Sequence, residues 1–382
     1  MVSIFDQAKN LVQSQFLNKK DGSVLGIDIG QSAIKVVQLK NEQGVAVLET
    51  YGEIALGPYK DSIVGQAVHL DPETTAKALK ELLQGAGVTS TTCGVAVPFA
   101  SSLVKLIEVP ALDAKQLQTV IPIEARRYVP VPITEVQLDW FVVPETEQRL
   151  FEGQSEGDEA AMTALEKRMV LVVAMHNSLL QAHAKVLQLA GLKPMFYEIE
   201  AFSVMRSSVE RTLTPVAVVD IGAASTKMYV IELGIILASH VVQKGSGDIT
   251  KTLSNTTHVS MLKAEEMKRA PGLLSGEGAS GGGATHATTL VLEQVFAEMR
   301  RVLSGFERRY NRAVSKVVLT GGGATLAGID TFASSQLELE VEIAHPFARV
   351  QAPAFLDTTL KDSGVDFSVA VGVALRAVHE NA

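Results

Sequence analysis

Short apolar runs alternate with longer segments of helical spacing along most of the chain. The runs SVLGIDIG, SAIKVVQLK and TCGVAVP have the length and composition of strands, and a short turn joins the first two. The segments ETTAKALKELLQGAG and NSLLQAHAKVLQLAG place apolar residues on one helical face, and each ends at a glycine. Strands that alternate with helices in this way predict an α/β protein.

The second half of the chain restarts with the pattern that opens the first half. The segment VAVVDIGAASTKMYVI repeats the order of residue types in VLGIDIGQSAIKVVQL, which lies near the N-terminus. Asp28 and Asp220 hold matching places in the two copies, and so do Lys35 and Lys227. Further on, KVVLTGGGATLAGI predicts a strand, a glycine turn and a helix, and DFSVAVGVALRAV predicts a buried helix.

Three segments depart from this alternation. Residues 1–22 carry apolar side chains at helical spacing, which predicts an amphipathic helix that docks on its own protein, on a membrane surface or on a partner. Residues 145–166 are polar and acidic, and they predict a loop that flanks an inserted subdomain. The glycine-rich stretch at 271–286 predicts a flexible loop of unassigned role.

Composition narrows the class of protein. A chain of 382 residues is long for a single core, so two domains are expected. The formal net charge of -8 argues against a nucleic-acid partner, because such proteins carry a basic surface. The single cysteine, Cys93, lies in an apolar run, which predicts a buried thiol in a reducing compartment. No apolar run approaches the roughly 20 residues that span a bilayer.

Each copy of the repeat combines a glycine turn with an aspartate at the end of a strand. Glycine lets backbone N–H groups approach an anion closely, and consecutive amides suit phosphate oxygens. An aspartate beside a phosphate requires a cation between them, and Mg²⁺ binds carboxylates, water and phosphate oxygens. Two such hairpins that face each other would hold a polyphosphate from both sides. The glycines of LTGGGATLAGI would then lie against a purine and its sugar.

These elements, in this order, resemble the actin-like ATPase superfamily, which includes actin, the Hsp70 chaperones, sugar kinases and the cell-division protein FtsA. The resemblance implies an α/β, actin-like (ribonuclease H-like duplicated) two-lobed fold that binds ATP and Mg²⁺. By this resemblance the nucleotide contacts are Asp28, Gly30, Ser32 and Lys35 in the phosphate 1 hairpin, Asp220, Gly222, Ser225 and Thr226 in the phosphate 2 hairpin, Gly245 and Gly247 in the turn KGSGDIT, and Gly321, Gly322 and Gly323 in the adenosine motif. Asp28 and Asp220 would reach the metal through water.

Two further segments extend the resemblance. GLKPMFYEIEAFSVMRS resembles the first connector between the lobes, where an acidic residue holds the metal's water. Glu200 has that place and is the candidate catalytic residue. KAEEMKR resembles the helix that reaches the nucleoside, which makes Glu265, Lys268 and Arg269 candidates for ribose or adenine contacts. An ordinary exposed helical charge is the alternative for each of these three.

Within the superfamily the chain resembles the PilM group of type IV pilus assembly proteins. The segment VPALDAKQLQTVIPIEARRYVPVPITEVQLDW carries this match, because it resembles the small 1C subdomain that replaces actin's 1B in PilM and FtsA. The implied boundaries are 1–22 for the N-terminal amphipathic segment, 23–210 for the first lobe, about 100–168 for the inserted 1C subdomain, 211–382 for the second lobe and about 246–310 for its 2B subdomain.

The PilM resemblance implies a cytoplasmic ATP-binding scaffold that is peripheral at the inner face of the inner membrane and is at most a slow ATPase. It would bind the N-terminal cytoplasmic peptide of the inner-membrane protein PilN in a groove near residues 103–140, and would link the membrane platform to the pilus motor ATPases. Two alternatives stay open. One is an FtsA-like membrane-associated protein that self-associates into filaments, and the other is a small-molecule kinase of the same fold. A kinase needs a base near the γ-phosphate, and no unassigned aspartate lies in a comparable motif.

Overall fold

The structure is a computed structural model that describes residues 22–151, 167–210, 212–269, 273 and 282–380. The predictions for the N-terminal amphipathic segment and for most of the glycine-rich insert lie outside the described residues. The strands are β1 (Ser23–Ile29), β2 (Ala33–Glu42), β3 (Val45–Ala55), β4 (Thr92–Val97), β5 (Ser102–Pro110), β6 (Val136–Val142), β7 (Lys167–His176), β8 (Lys193–Ile199), β9 (Val216–Ile221), β10 (Thr226–Glu232), β11 (Ile235–Val242), β12 (Lys316–Thr320) and β13 (Glu340–Ile343).

The helices of the same ranges connect these strands. They are α1 (Pro72–Gly85), α2 (Ala114–Ala125), α3 (Glu145–Phe151), α4 (Asn177–Ala190), α5 (Glu200–Ser208), α6 (Ser246–Thr257), α7 (Met261–Arg269), α8 (Gly282–Tyr310), α9 (Ile329–Leu337), α10 (Asp357–Ser363) and α11 (Ser368–Glu380). Short 3-10 turns lie between several of them, for example at Gly322–Thr325 after β12 and at Gly364–Phe367 before α11.

The first lobe is built on a five-stranded sheet with the strand order β3-β2-β1-β4-β8. β1, β2 and β3 are antiparallel neighbours, whereas β4 and β8 continue the sheet in parallel. Alternate side chains of β1 point to opposite faces. Leu25 and Ile27 belong to the core formed with α1 and α4, and Gly26 faces α11 on the other side. Cys93 of β4 is buried in the same core as Leu25 and Ile27, as predicted.

The second lobe repeats this topology. Its five-stranded sheet has the order β11-β10-β9-β12-β13, so the strands of both lobes follow the order 3-2-1-4-5 when they are numbered within each lobe. The antiparallel pairs β9–β10 and β10–β11 correspond to β1–β2 and β2–β3. α8 packs against β11 and α9 against β13, and α6 packs on α8. The sequence repeat therefore marks two copies of one sheet, which is the duplicated two-lobed architecture that the sequence predicts.

An insert between β4 and α4 forms a third sheet, with the antiparallel order β5-β7-β6. Helix α2 packs on one face of this sheet through Leu117 and Ile121. Strand β7 carries the sheet to His176, past the boundary near residue 168 that the sequence suggests. Helix α3 corrects the prediction of a loop from residue 145, because Phe151 is buried and the Gln148 side chain bonds the backbone of β7.

Helices α5 and α11 cross where the two lobes join. A Cβ atom on Gly372 of α11 would lie 2.0 Å from the Ser203 carbonyl oxygen of α5, so the crossing requires glycine there. Glu198, just before α5, is buried and pairs with Arg206 at 2.8 Å and with Arg376 at 3.1 Å. The C-terminal helix thus returns to the first lobe and fastens it to the connector that precedes β9.

Candidate functional site

A cavity of about 650 Å³ lies between the lobes, at the ends of the two repeated hairpins. Pockets of roughly 300–1,000 Å³ are typical of small-molecule and cofactor sites. The residues that the sequence analysis singles out and that line this cavity are Asp28, Gly30, Ser32, Lys35, Glu200, Asp220, Gly222, Ser225, Glu265, Lys268, Arg269, Gly321, Gly322 and Gly323. The fold therefore brings nearly all of the predicted site residues into one place.

The first hairpin pairs β1 with β2 so that Asp28 lies directly opposite Lys35. A hydrogen bond from the Gly30 N–H to the Ala33 carbonyl, 3.0 Å long, closes the turn. The ammonium group of Lys35 binds Asp366, which follows α10. Burial acts to lower the pKa of Lys35, but nearby carboxylates, Asp366 first among them, outweigh it and raise that pKa. Lys35 is therefore a charged lysine at the cavity wall.

The second hairpin has the same register, with Asp220 opposite Lys227 and a 3.0 Å hydrogen bond from the Gly222 N–H to the Ser225 carbonyl. Lys227 has other partners, however. Its Nζ lies 3.1 Å from Oδ2 of Asp220 and 3.0 Å from Oε1 of Glu200. Burial opposes the charge on Lys227, but the two carboxylates outweigh it and raise its pKa. Lys227 is thus a charged lysine held between two carboxylates.

Glu200 is the first residue of α5, at the junction of the lobes. Its Oε1 accepts a hydrogen bond of 2.7 Å from the Phe99 N–H in addition to the contact with Lys227. Phe99 lies at the start of the insert that carries the third sheet, and its ring packs edge-on against Tyr229 of β10, with centroids 5.0 Å apart. Glu200 therefore joins the second hairpin, the connector and the root of the inserted subdomain.

Asp28 is the carboxylate of the cavity with the strongest perturbation. Burial raises its pKa from the ordinary 3.8 to about 7. The ammonium group of Lys35 opposes this shift, and the neighbouring carboxylates Glu200 and Asp220 add to it. Burial thus favours the protonated form of Asp28, and a cation brought in with a ligand would favour its ionised form.

The glycine-rich turn after β12 lies directly against the second hairpin. Gly321 has a φ of +81°, and a Cβ atom there would lie 2.2 Å from Oδ1 of Asp220. A Cβ atom on Gly323 would lie 2.2 Å from Cγ2 of Ile221. The backbone of this turn can approach β9 only without side chains. Two of the three glycines are therefore required by packing, and the turn leaves a bare backbone surface in the cavity.

Helix α7 contributes an ionic cluster, centred on the buried Glu265, to the opposite part of the cavity wall. The Glu265 carboxylate binds Lys268 at 2.7 Å, the Thr250 hydroxyl at 2.6 Å and Arg269 at 2.8 Å. Burial acts against ionisation of Glu265, but these hydrogen bonds outweigh it and lower its pKa. Gly65, from the first lobe, lies close to both Glu265 and Arg269. The cluster thus meets the first lobe across the cleft.

Three residues with predicted nucleotide contacts do not line the cavity. Thr226 is fully buried, and its hydroxyl donates a 2.8 Å hydrogen bond to the Lys244 carbonyl. Gly245 and Gly247 pack on Ala223, where a Cβ atom would lie 2.5 Å and 2.9 Å from its carbonyl oxygen. These residues support the phosphate 2 turn from behind, so we assign them a structural role in place of direct contact.

Three charged residues of the cavity wall are not among the predicted contacts, namely Lys227, Glu53 and Asp366. Lys227 had a usable signal, because its spacing from Asp220 equals that of Lys35 from Asp28. Glu53 reaches the site because β3 pairs with β2, and Asp366 reaches it from near the C-terminus. Neither has a local motif, so only the folded chain reveals them.

The donor set fits a nucleotide better than a metal bound directly by protein. Within the described ranges, no group of three or more His, Cys, Asp or Glu side chains is placed to hold a metal ion. Asp220 and Glu200 already share the Lys227 ammonium group, and Asp28 stands opposite them. This arrangement suits an ion that is carried on phosphate oxygens and is reached through water, which is the way Mg²⁺ is commonly held.

Comparison with known proteins decides the family. Residues 26–378 match the family model described as type IV pilus assembly protein PilM. The chain belongs to the PilM family. A chain of the solved PilM-PilN type IV pilus biogenesis complex is 26% identical to this PilM-family protein, with a TM-score of 0.76, over 94% of this chain and 99% of that chain.

More distant structures show that the PilM-family fold of this chain is actin-like. The ethanolamine utilization protein EutJ from Carboxydothermus hydrogenoformans is 16% identical, with a TM-score of 0.51 over 96% of this chain and 94% of its own. MreB 5 of Spiroplasma citri bound to AMPPNP is 13% identical, with a TM-score of 0.52 over 93% and 96%. In the part of the chain that the structure describes, none of the helices has the length and apolar character to cross a bilayer.

Proposed function

We propose that this PilM-family protein is an ATP-binding scaffold of type IV pilus assembly that holds the N-terminal tail of PilN on the cytoplasmic side of the inner membrane. The observation that carries the proposal is the likeness to a chain of the PilM-PilN complex, which extends over 94% of this protein at 26% identity. Through PilN, the protein would connect the membrane platform to the pilus motor ATPases.

ATP is the ligand that the geometry of the cleft supports. Two glycine turns face the cavity, and Lys35 and Lys227 bring positive charge to its wall. Mg²⁺ would accompany the triphosphate on its own oxygens, and Asp28 and Asp220 would face the water shell of the ion. Glu265, Lys268 and Arg269 line the same cavity and would contact the nucleoside, and the adenosine-motif glycines would lie beneath it.

The hydrogen bonds of Glu200 favour retention of a bound nucleotide and disfavour its rapid hydrolysis. A general base must have an oxygen within hydrogen-bond reach of the proton it abstracts. Oε1 of Glu200 is already shared between the Phe99 N–H and the Lys227 ammonium group, and the side chain is 8% exposed. With Oε1 engaged, only the other carboxylate oxygen of Glu200 is left for a water, so we expect turnover to be slow at most.

The inserted subdomain provides the surface for the PilN tail. β5 and β6 form the two edges of its three-stranded sheet, and a sheet edge can accept an extended peptide as an added strand. Ile123 of α2 is 54% exposed and Tyr128, just after this helix, is 40% exposed. Lys105 lies over the Tyr128 ring at 5.9 Å from its centroid. Two apolar anchors and a cation thus lie within the segment 103–140 that the sequence analysis assigns to the groove.

The test is a peptide titration of the full-length protein. A labelled synthetic peptide with the N-terminal tail sequence of PilN from the same organism is titrated with the wild type and with Ile123→Asp, Tyr128→Ala and Leu262→Asp. Leu262 is the matched control, because it is 57% exposed but lies on α7 of the second lobe. Truncation of an anchor residue in an interface typically costs 1 to 2 kcal/mol or more, so we expect affinity to fall by about tenfold for the first two variants.

The outcomes separate the proposal from its alternatives. Saturable binding of the tail peptide, weakened in the subdomain variants and unchanged in Leu262→Asp, supports the scaffold. An absence of binding by the wild type at millimolar peptide would overturn the PilN assignment. Nucleotide-dependent sedimentation of the protein alone, without peptide binding, would favour the filament-forming alternative, and transfer of phosphate to a metabolite would favour the kinase.

A further inference from the structure

The two hairpins carry their lysines at the same register but give them different partners. Lys35 and Lys227 each face an aspartate across their own hairpin. Lys35 forms its ion pair with Asp366, which lies near the other end of the sequence. Lys227 instead pairs with Asp220, the residue opposite it in the hairpin, and also with Glu200. The duplicated sequence has therefore produced two walls with different charge arrangements.

The position of Lys227 places its charge at the base of the phosphate 2 turn. The side chain is 13% exposed, and its Nζ lies 4.0 Å from the point that a Cβ atom on Gly222 would occupy. The same Nζ contacts one oxygen of Asp220 and one of Glu200. A phosphate bound on this turn would therefore lie close to the ammonium group of Lys227.

We propose that Lys227 acts as a tethered cation that supplies part of the positive charge which the phosphate 2 wall needs, so that ATP binding persists when Mg²⁺ is removed. This inference rests on the proposed binding of ATP. Glu200 and Asp220 bring negative charge to this wall, and a triphosphate adds more. A chelator can remove an exchangeable metal ion, whereas it cannot remove Lys227, which is covalently part of β10.

The size of the effect follows from the charge and its distance. A unit charge that acts at roughly 6 Å in an effective dielectric constant of about 20 changes an affinity by about a hundredfold. The ammonium group also keeps Asp220 and Glu200 compensated, and a buried carboxylate that loses its partner is strongly unfavourable. Loss of Lys227 should therefore weaken nucleotide binding most when no other cation is present.

The test measures the ATP affinity of the full-length protein by calorimetry, once with Mg²⁺ and once with EDTA. The variants are Lys227→Met, which removes the charge, and Lys227→Arg, which keeps it. Lys316→Met is the matched control, because Lys316 pairs with Glu342 at the other end of the second-lobe sheet. We expect EDTA to weaken the wild type, Lys227→Arg and Lys316→Met by less than about tenfold, and Lys227→Met by about a hundredfold or more.

Equal effects of EDTA on the wild type and on Lys227→Met would overturn the role of Lys227. A wild type that loses all ATP binding in EDTA would overturn it as well, and this result needs no variant to be folded. Failure of the wild type to bind ATP even with Mg²⁺ would refute the proposed nucleotide and this inference together. Thermal unfolding and circular dichroism of each variant show whether a loss of affinity reflects the site or the fold.

Discussion

Replacement of Asp28 by asparagine should change how the stability of the nucleotide-free protein depends on pH. Burial raises the pKa of Asp28 to about 7 in the folded chain, against an ordinary value of 3.8. Between these two pH values the unfolded chain has lost the proton and the folded chain keeps it. The unfolded state binds fewer protons there, so the free energy of unfolding falls as the pH rises, and the fall ends above about pH 7.

The magnitude follows from the two pKa values. A difference of about three pH units corresponds to roughly 4 kcal/mol when the linkage is integrated over the whole range. Between about pH 5 and about pH 8.5, approximately 2 to 3 kcal/mol of this falls in a range where the protein can be measured. Asparagine has nearly the same shape and releases no proton. The stability of Asp28→Asn relative to wild type should therefore grow by that amount across this interval.

The assay is urea unfolding followed by circular dichroism, with EDTA present and without nucleotide. Asp362→Asn is the matched control, because it makes the same substitution at an exposed position near the end of α10, away from the cavity. If the difference between Asp28→Asn and wild type stays constant with pH within about 0.5 kcal/mol, the reasoning that burial holds the proton on Asp28 is refuted. A cation close to Asp28 should remove the effect, so added Mg²⁺ and ATP should reduce the pH dependence of the wild type.

Two further predictions concern the joints between the parts of the protein. Gly372→Ala should lower the free energy of unfolding by about 2 to 4 kcal/mol, because the added Cβ would collide with the backbone of α5. Its control is Gly305→Ala, which lies in α8 with open space around it and should raise the free energy of unfolding by about 0.5 to 1 kcal/mol. Arg312→Met should lower the free energy of unfolding by about 3 to 5 kcal/mol, because the buried Glu232 loses the guanidinium group that lies 2.6 Å from its carboxylate. Its control is Arg301→Met, at an exposed position, which should lower the free energy of unfolding by less than about 0.5 kcal/mol. Urea unfolding measures both pairs, and equal losses within either pair would contradict the corresponding argument.

The duplicated fold could be predicted because its signal is local and occurs twice. A strand, a glycine turn and a second strand are specified by nearest neighbours, and the equal spacing of Asp28–Lys35 and Asp220–Lys227 reflects one cross-strand register. The helix α3 was missed because its sequence is polar at most positions. It forms because Gln148 and Phe151 are buried against β7, a contact with a distant strand that sequence patterns do not reveal.

Site residues that belong to a glycine turn could be predicted from the sequence. Site residues whose contacts are with residues distant in the sequence could not. Gly321 could be identified because a glycine turn has a recognisable sequence, and its positive φ follows from that turn. Thr226 could not be separated from its neighbour Ser225, because the turn ends between them. Ser225 is the last residue of the turn and lines the cavity, whereas Thr226 begins β10 and bonds the Lys244 carbonyl, a partner 18 residues away. The pairing of Lys35 with Asp366 depends on the whole chain folding back between the lobes.

The contacts of Glu200 provide a physical route between the nucleotide cleft and the surface proposed for PilN. One carboxylate oxygen accepts from Lys227, which belongs to the phosphate 2 wall, and from the Phe99 N–H, which begins the inserted subdomain. A ligand whose phosphates attract the Lys227 ammonium group would weaken the contact between Lys227 and Glu200. The hydrogen bond from the Phe99 N–H would then be the main contact of that carboxylate oxygen. Because coupling between two sites is reciprocal, a peptide that shifts the root of the subdomain would change the affinity for ATP by the same factor. Under the proposed function, Glu200 is therefore the side chain through which the nucleotide cleft and the inserted subdomain would affect each other.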